Sequence, residues 1–539
     1  MPAQRGGPNR GSGTIRIKGG SVIDPHHGRH GEIGDVCIED GRVVASLPPG
    51  APVFEARGLL VLPGGVDLHS HIAGPAVQAA RWLCPESAGG SLPTLGETGR
   101  RYARMGYTTV FDAAIAPLLA RLAHDELDAV PIVDKGIFLL MGNHELALDL
   151  ARGGRHDDLR DLVGWLLRAA RGYAPKLVNA GGAAAWRRGE EEGEPDRELL
   201  VAFAAAGEAL RLPHPLHVHL GGLGRPGNAA TTLRQMDALR EARVHFTHLQ
   251  FHAYGGRTPA GLRSRAPDIA AWLNAHPRAT GDVGQVVFGP VVTLSADAGA
   301  QHRLHRLTGR KWLNVDVESG DGCGIVPHEY RDDRLAGAVQ WATGLELMLL
   351  CNDPWRLFLT TDHPNGGSFA SYPVIIRMLM DRSFRETILA AAHPRLKERC
   401  ALAGIAREYT LEEIAIVTRS GPARALGLTR KGHLGPGADG DVAVYQSPGD
   451  PAVSFAEAVA VFKDGVLVAR DGEIVAEPRG RTFFVKAPSF GGGAAEGPAT
   501  ALRDRLEAGH AASWEDFVLD EDALARPEVV PGVPSEPPA

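Results

Sequence analysis

Cysteine is scarce and scattered in this chain of 539 residues: Cys37, Cys84, Cys323, Cys351 and Cys400 lie far apart, with no C-x-x-C spacing. Neither a disulfide framework nor a cysteine-type zinc site is expected, and the thiols read as buried and free in a reducing compartment. Positive charge is not in excess, with 57 Lys and Arg against 64 Asp and Glu and a net charge of -7. That balance offers no general attraction to phosphate or anionic lipid, so neither nucleic acid nor membrane is expected as a partner. No run of about 18 uninterrupted apolar residues occurs, and no transmembrane helix is expected. Met1 to Gly13 is polar and rich in Gly, Pro and Arg, without the apolar stretch of a secretory signal. A cytoplasmic protein is expected.

The chain is long enough for a sizeable core. At roughly 100–200 residues per domain it allows two to four units, or one large barrel with appendages. From Thr14 to Leu62 the pattern is short and alternating, as in Thr14 to Lys18 and Asp35 to Glu39, with Asp40-Gly41 as a hairpin turn. The same texture returns in Asp441 to Tyr445 and Ala458 to Phe462, where Lys463-Asp464-Gly465 turns into Val466 to Val468. Residues 1–63 and 416–487 are therefore expected to form one composite β-sandwich. From residue 488 a tail is expected to wrap the surface or meet a partner, with its last residues disordered.

Between the two β segments, over 64–415, short apolar runs alternate with helix-compatible stretches, which predicts repeated βα units. Candidate strands are Thr108–Phe111, Gly136–Leu140, Lys176–Val178, Leu216–His219, His245–Leu249, Trp312–Val317 and Leu357–Thr361. Their number suits an α/β fold closed as a (β/α)8 barrel, whose active-site residues sit at the C-terminal strand ends.

Polar residues of one kind gather at those ends. In Asp67-Leu68-His69-Ser70-His71, positions i and i+2 of an extended segment point the same way, so His69 and His71 can share a metal ion. His217 and His219 form a second pair on one strand face, either of which could be a ligand. His245, His248 and His252 follow in a third segment. The apolar run Leu357 to Thr361 ends abruptly in Asp362, a carboxylate that must face water, a partner or a metal. Lys176 opens a short apolar run; it is a snorkelling surface lysine or one whose amine reacts with CO2 to give a metal-bridging carbamate. Asn143 is a substrate contact or a helix cap, and His252 and Arg225, just past the histidine strands, are candidates to touch the substrate. Glu318 to Gly324 reads as a loop over the barrel mouth.

The segment Gly65 to His71, with His219, His248, Asp362 and the late stretch Ser420 to Leu428 running into Lys431 to Val442, resembles the amidohydrolase superfamily over nearly the whole chain. Within it, His69 to Gly74, Lys176 to Gly182, His217 to His219, Leu223 to Asn228, Thr247 to Gly256 and Thr361 to Gly367 are similar to the A subunits of formylmethanofuran dehydrogenase and of bacterial formyltransferase/hydrolase complexes. Ala180 departs from the family, in which a proline is expected.

The resemblance implies a binuclear zinc hydrolase. One zinc would be held by His69, His71 and Asp362, the other by His219 and His248, with carboxylated Lys176 between them and Asp362 as the proton shuttle. It implies hydrolysis of the N-formyl group of a formyl-methanofuran-type cofactor to formate and free amine, within a complex that also contains structural subunits and a formyltransferase. No molybdopterin or iron–sulfur signature is present. Rival readings are a cyclic-amide hydrolase of the dihydropyrimidinase kind, with the same metals, and a non-catalytic scaffold, against which the retained ligand set argues.

Overall fold

The computed structural model describes residues 14–189, 196–316, 322–447, 449–488, 500–510 and 512–532. Met1 to Gly13, Glu318 to Asp321 of the expected mouth loop, Ser489 to Gly493 and the last residues of the tail lie outside the described residues.

Two chain ends meet in one nine-stranded sheet. Leu59–Pro63 runs antiparallel to Val442–Gln446, with Pro63 opposite Val442 and Leu59 opposite Gln446. The hairpin turns fall where the sequence places them. Asp40 and Gly41 take φ of 50° and 76°, and Asp464 and Gly465 take 49° and 74°, the double left-handed conformation of a two-residue hairpin loop. Alternate residues of these strands, among them Ile17, Val36, Ile38, Val61, Val442, Val444 and Phe462, close a small apolar core of their own.

The remainder is a (β/α)8 barrel. Its strands are β1 (Gly65–Ser70), β2 (Tyr107–Ile115), β3 (Asp134–Leu140), β4 (Ala174–Val178), β5 (Leu216–His219), β6 (Val244–Phe246), β7 (Ala279–Asp282) and β8 (Leu357–Phe358). Each pairs in parallel with the next. The ring closes where Ser70 bridges His363 and the His71 amide donates to the His363 carbonyl at 2.7 Å. The outer helices are amphipathic: His156–Ala169 buries Leu159, Leu162, Val163 and Leu166, with Asp157 and Asp158 in its first turn and Arg168 in its last, as the helix dipole favours.

Four strands differ from expectation. Trp312–Val317 is not a barrel strand: Leu313–Asp316 belongs to a three-stranded antiparallel sheet with Gly289–Ser295 and Gly322–Tyr330, inserted between β7 and β8. The seventh barrel strand is instead Ala-Thr-Gly-Asp, residues 279–282, whose apolar signal is weak because Gly281 lies against the Phe246 carbonyl and Leu249. Late in the chain, β9 (Thr482–Val485) leaves the composite sheet and pairs in parallel with the first residues of β3, while the last residues of β3 pair with β4. A final strand, β10 (Pro527–Val530), pairs with β9, so described parts of the tail are built into the barrel sheet.

Candidate metal centre

Six side chains expected from the sequence converge on one cavity of about 160 Å3 at the C-terminal ends of the strands: His69, His71, Lys176, His219, His248 and Asp362. His69 at the end of β1 and His71 just beyond it both turn inward. Asp362 Oδ1 lies 3.1 Å from His69 Nε2 and 3.2 Å from His71 Nε2. In spite of these contacts, the buried oxygen makes no well-formed hydrogen bond. Across the cavity, the rings of His219 and His248 stand 4.5 Å apart, and His252 lies 5.3 and 5.4 Å from them. Nε2 of His219, Nδ1 of His248 and both ring nitrogens of His252 are buried without a hydrogen-bond partner.

Buried polar atoms left unpaired cost free energy unless something meets them. Two groups of ligand atoms in close reach of one another, His69/His71/Asp362 and His219/His248/His252, fit that demand as metal sites. Their chemistry fits too, since nitrogen and carboxylate oxygen donors are those zinc takes. Burial pushes His219 and His248 well below the ordinary imidazole range, which leaves their lone pairs available. Burial opposes the charge on Asp362, but the imidazoles of His248 and His69 outweigh it and hold the carboxyl well below its usual range.

Lys176, on β4, is fully enclosed and its amine is 3.4 Å from Thr247 Oγ1. Burial lowers its pKa to about 7, against the opposing pull of Asp362 and Asp282.

The strand ends are shaped by unusual backbone. Asn179 after β4, His248 after β6 and Asp362 after β8 take φ of 41°, 35° and 48°. Non-glycine residues in this region store strain, commonly at functional sites. Gly284, with φ of 62°, makes room for His248, whose Cα and Cβ occupy the space a side chain would need.

The other expected contacts are placed differently. Asn143 does not line the cavity: its Nδ2 donates to the Val178 carbonyl at 2.9 Å and its Oδ1 accepts from the Ala183 amide at 3.1 Å, while the helix cap is His144. Arg225 is half-buried in the turn after β5, off the cavity wall. His252 joins the second imidazole group rather than the cavity wall. Of the β5 pair, His219 reaches the cavity and His217 lies beneath it, 3.2 Å from His69 Nδ1.

Two carboxylates that the sequence did not mark complete the site. Asp282 ends β7 and accepts from His69 Nδ1 at 3.0 Å. Asp112 in β2 accepts from the amides of Ile72 and Ala73 and faces His71 Nδ1 at 4.0 Å. Asp112 follows the apolar run Thr108–Phe111, the same signal that marks Asp362; Asp282 has no such run before it.

Comparison with known proteins places the chain among relatives of this architecture. A family model described as "Amidohydrolase family" matches residues 53–476. The Fhc A subunit of the formyltransferase/hydrolase complex of Methylorubrum extorquens is 42% identical over 532 residues, covering 92% of this chain and 95% of that one. Protein FwdA of Methanocaldococcus jannaschii is 39% identical over 514 residues, covering 87% and 90%. Among solved structures, the FhcABCD complex from Methylorubrum extorquens with methylofuran matches with a TM-score of 0.89 and 39% identity, covering 97% of this chain and all of that chain.

Proposed function

The chain belongs to the amidohydrolase family, and on that premise we propose that it is the hydrolase component of a formyltransferase/hydrolase complex. Its substrate is the N-formyl group of a formylated methanofuran-type carrier, cleaved to formate and the free amine in one-carbon metabolism. The observation that carries this reading is the meeting of two buried groups of ligand atoms, His69/His71/Asp362 and His219/His248/His252, at one cavity lined by a buried lysine. Likeness along almost the whole length to one component of a named complex supports the substrate and the partner subunits.

His69, His71 and Asp362 would hold one zinc ion, His219 and His248 a second, and Lys176, carboxylated on its amine, would bridge them. When bound, such a pair makes water nucleophilic near neutral pH and polarises the carbonyl under attack. Asp362 takes the proton that water gives up as its oxygen bonds to the formyl carbon. The same carboxyl then delivers that proton to the nitrogen as the C–N bond breaks, so that the amine leaves neutral rather than as an anion. Asp362, with its left-handed backbone, lines the cavity, where its carboxyl would carry out both transfers.

The five free cysteines fit a reducing, cytoplasmic setting, and among the described residues no helix is long and apolar enough to cross a membrane.

The test is formate release from a formylated methanofuran-type carrier by the zinc-loaded full chain, alone and with its partner subunits, beside a cyclic-amide substrate of the dihydropyrimidine kind. Formate release with the cyclic amide untouched is expected. Ring opening of the cyclic amide without formate release would overturn the reading.

A further inference from the structure

Beneath the cavity lies a second layer of ionisable side chains that the ligand set does not use. His214 before β5, His217 in β5, His245 in β6 and Asp282 at the end of β7 are all fully buried. Three of their contacts form a line that leads to His69. His214 Nδ1 lies 2.8 Å from the Ala425 carbonyl oxygen, His214 Nε2 lies 2.9 Å from His217 Nδ1, and His217 Nε2 lies 3.2 Å from His69 Nδ1.

The direction of these hydrogen bonds follows from their far end. A carbonyl oxygen can only accept, so His214 carries its proton on Nδ1. A neutral imidazole has one N–H, so His214 Nε2 is an acceptor and His217 Nδ1 must donate to it. The near end agrees: a carboxylate can only accept, so His69 Nδ1 beside Asp282 Oδ2 carries a proton, and His217 Nε2 facing that N–H must accept it. His217 Nε2 is then an acceptor in turn, and the proton of His69 belongs on Nδ1, shared between His217 Nε2 and Asp282 Oδ2 at 3.0 Å. His69 Nε2 is left without a proton, its lone pair facing Asp362 Oδ1.

Asp282 ties this line to the other half of the site. Its Oδ1 accepts from the His248 amide at 2.9 Å and from Thr360 Oγ1 at 2.7 Å, and its Oδ2 also accepts from His245 Nε2 at 3.1 Å. One carboxylate therefore orients the ring of a ligand in the first group and pins the left-handed backbone of a ligand in the second.

We propose that His214, His217 and Asp282 are positioning residues that fix the His69 tautomer with Nε2 open to the metal and hold the two halves of the metal centre in register. The proposal rests on the metal reading given above. His69 Nδ1, His217 Nε2 and Asp282 Oδ2 are also close enough to hold an ion themselves. An ion there would require His69 to lose its remaining proton while Nε2 binds the first metal, whereas these three atoms already satisfy one another through the N–H of His69 Nδ1.

The measurement is zinc affinity of the full chain by competition with a chelator, for wild type, His217→Phe and His217→Gln. Phenylalanine keeps a ring but offers neither donor nor acceptor; the glutamine amide offers one of each. His217→Phe is expected to weaken zinc binding about 10–100-fold, the range typical of lost partners behind a metal ligand, and His217→Gln to recover most of that loss. Equal affinity in wild type and His217→Phe, or a glutamine variant no better than phenylalanine, overturns the proposal, as does a third zinc ion found between His69 and Asp282. Where His217→Phe does not fold, His214→Phe against His214→Gln makes the same comparison one link further from the metal. A wild-type chain that binds no zinc sinks the metal reading itself, a different failure from intact binding in the variants.

Discussion

Inside the barrel the amine of Lys176 has the hydroxyl of Thr247, not a carboxylate, as its hydrogen-bond partner, at 3.4 Å. An ammonium so placed is poorly compensated, and burial lowers its pKa to about 7. Above that pH the amine is free to add CO2, so zinc reconstitution with bicarbonate at pH 8 is expected to give a Lys176 carbamate, lost on acidification and detected by native mass spectrometry. The sign for stability follows. Between pH 7 and the ordinary lysine value the unfolded chain holds a proton that the folded chain lacks, so the metal-free protein gains stability as pH rises through that window. Lys176→Met removes this slope and lowers formate release at least about 100-fold; an unchanged slope contradicts the assignment.

Gly284 leaves no room for a side chain against His248 and has φ of 62°. Gly284→Ala is expected to displace His248 and weaken the second zinc site about 10–100-fold. Zinc per chain after gel filtration is the readout, and two retained ions in the variant would count against His248 as a ligand.

Glu346 is buried in the apolar helix Leu335–Leu350 and accepts from the Ala401 amide. Burial raises its pKa to about 7 against the hydrogen bonds that favour its charge. The folded state thus holds a proton that the unfolded state releases above the ordinary glutamate range, and stability falls as pH rises towards 7. Glu346→Gln, neutral at every pH, is expected to raise stability by up to about 3 kcal/mol at pH 8 and by little at pH 5. Thermal melts at the two pH values check this, and equal effects would contradict it.

Much of the site is legible in the sequence because its chemistry is local. His69 and His71 are two residues apart where one strand ends, so extended-chain periodicity turns them to one face, and Asp362 is marked by the apolar run that it ends. Asp282 is not legible: Ala279-Thr280-Gly281 gives no apolar alternation, because the strand is narrowed for close packing against Phe246 and Leu249. Leu313–Asp316 misleads for the opposite reason, since its alternation is real but serves an antiparallel sheet beside the barrel. Asn143 reads as a substrate contact or a helix cap because it follows a strand, yet its amide is engaged by two backbone groups that no sequence pattern announces. The composite sheet is visible through its Asp-Gly turns. The insertion of β9 and β10 against β3 is not, because it joins backbone segments far apart in the chain, Thr482 to Lys135 and Phe483 to Gly136, and the ion pair of Arg481 with Asp134 beside them follows no local pattern.

Asp362 is proposed to move the proton in cleavage of a formyl amide at a two-zinc centre. The most direct test of that role is formate release from the formylated carrier by the zinc-loaded chain with its partner subunits, wild type against Asp362→Asn, with zinc content measured in the same samples. Release by wild type and a loss of about 100- to 10,000-fold in the variant are expected. Release at the wild-type rate by Asp362→Asn, or none from wild type with zinc bound, would contradict it.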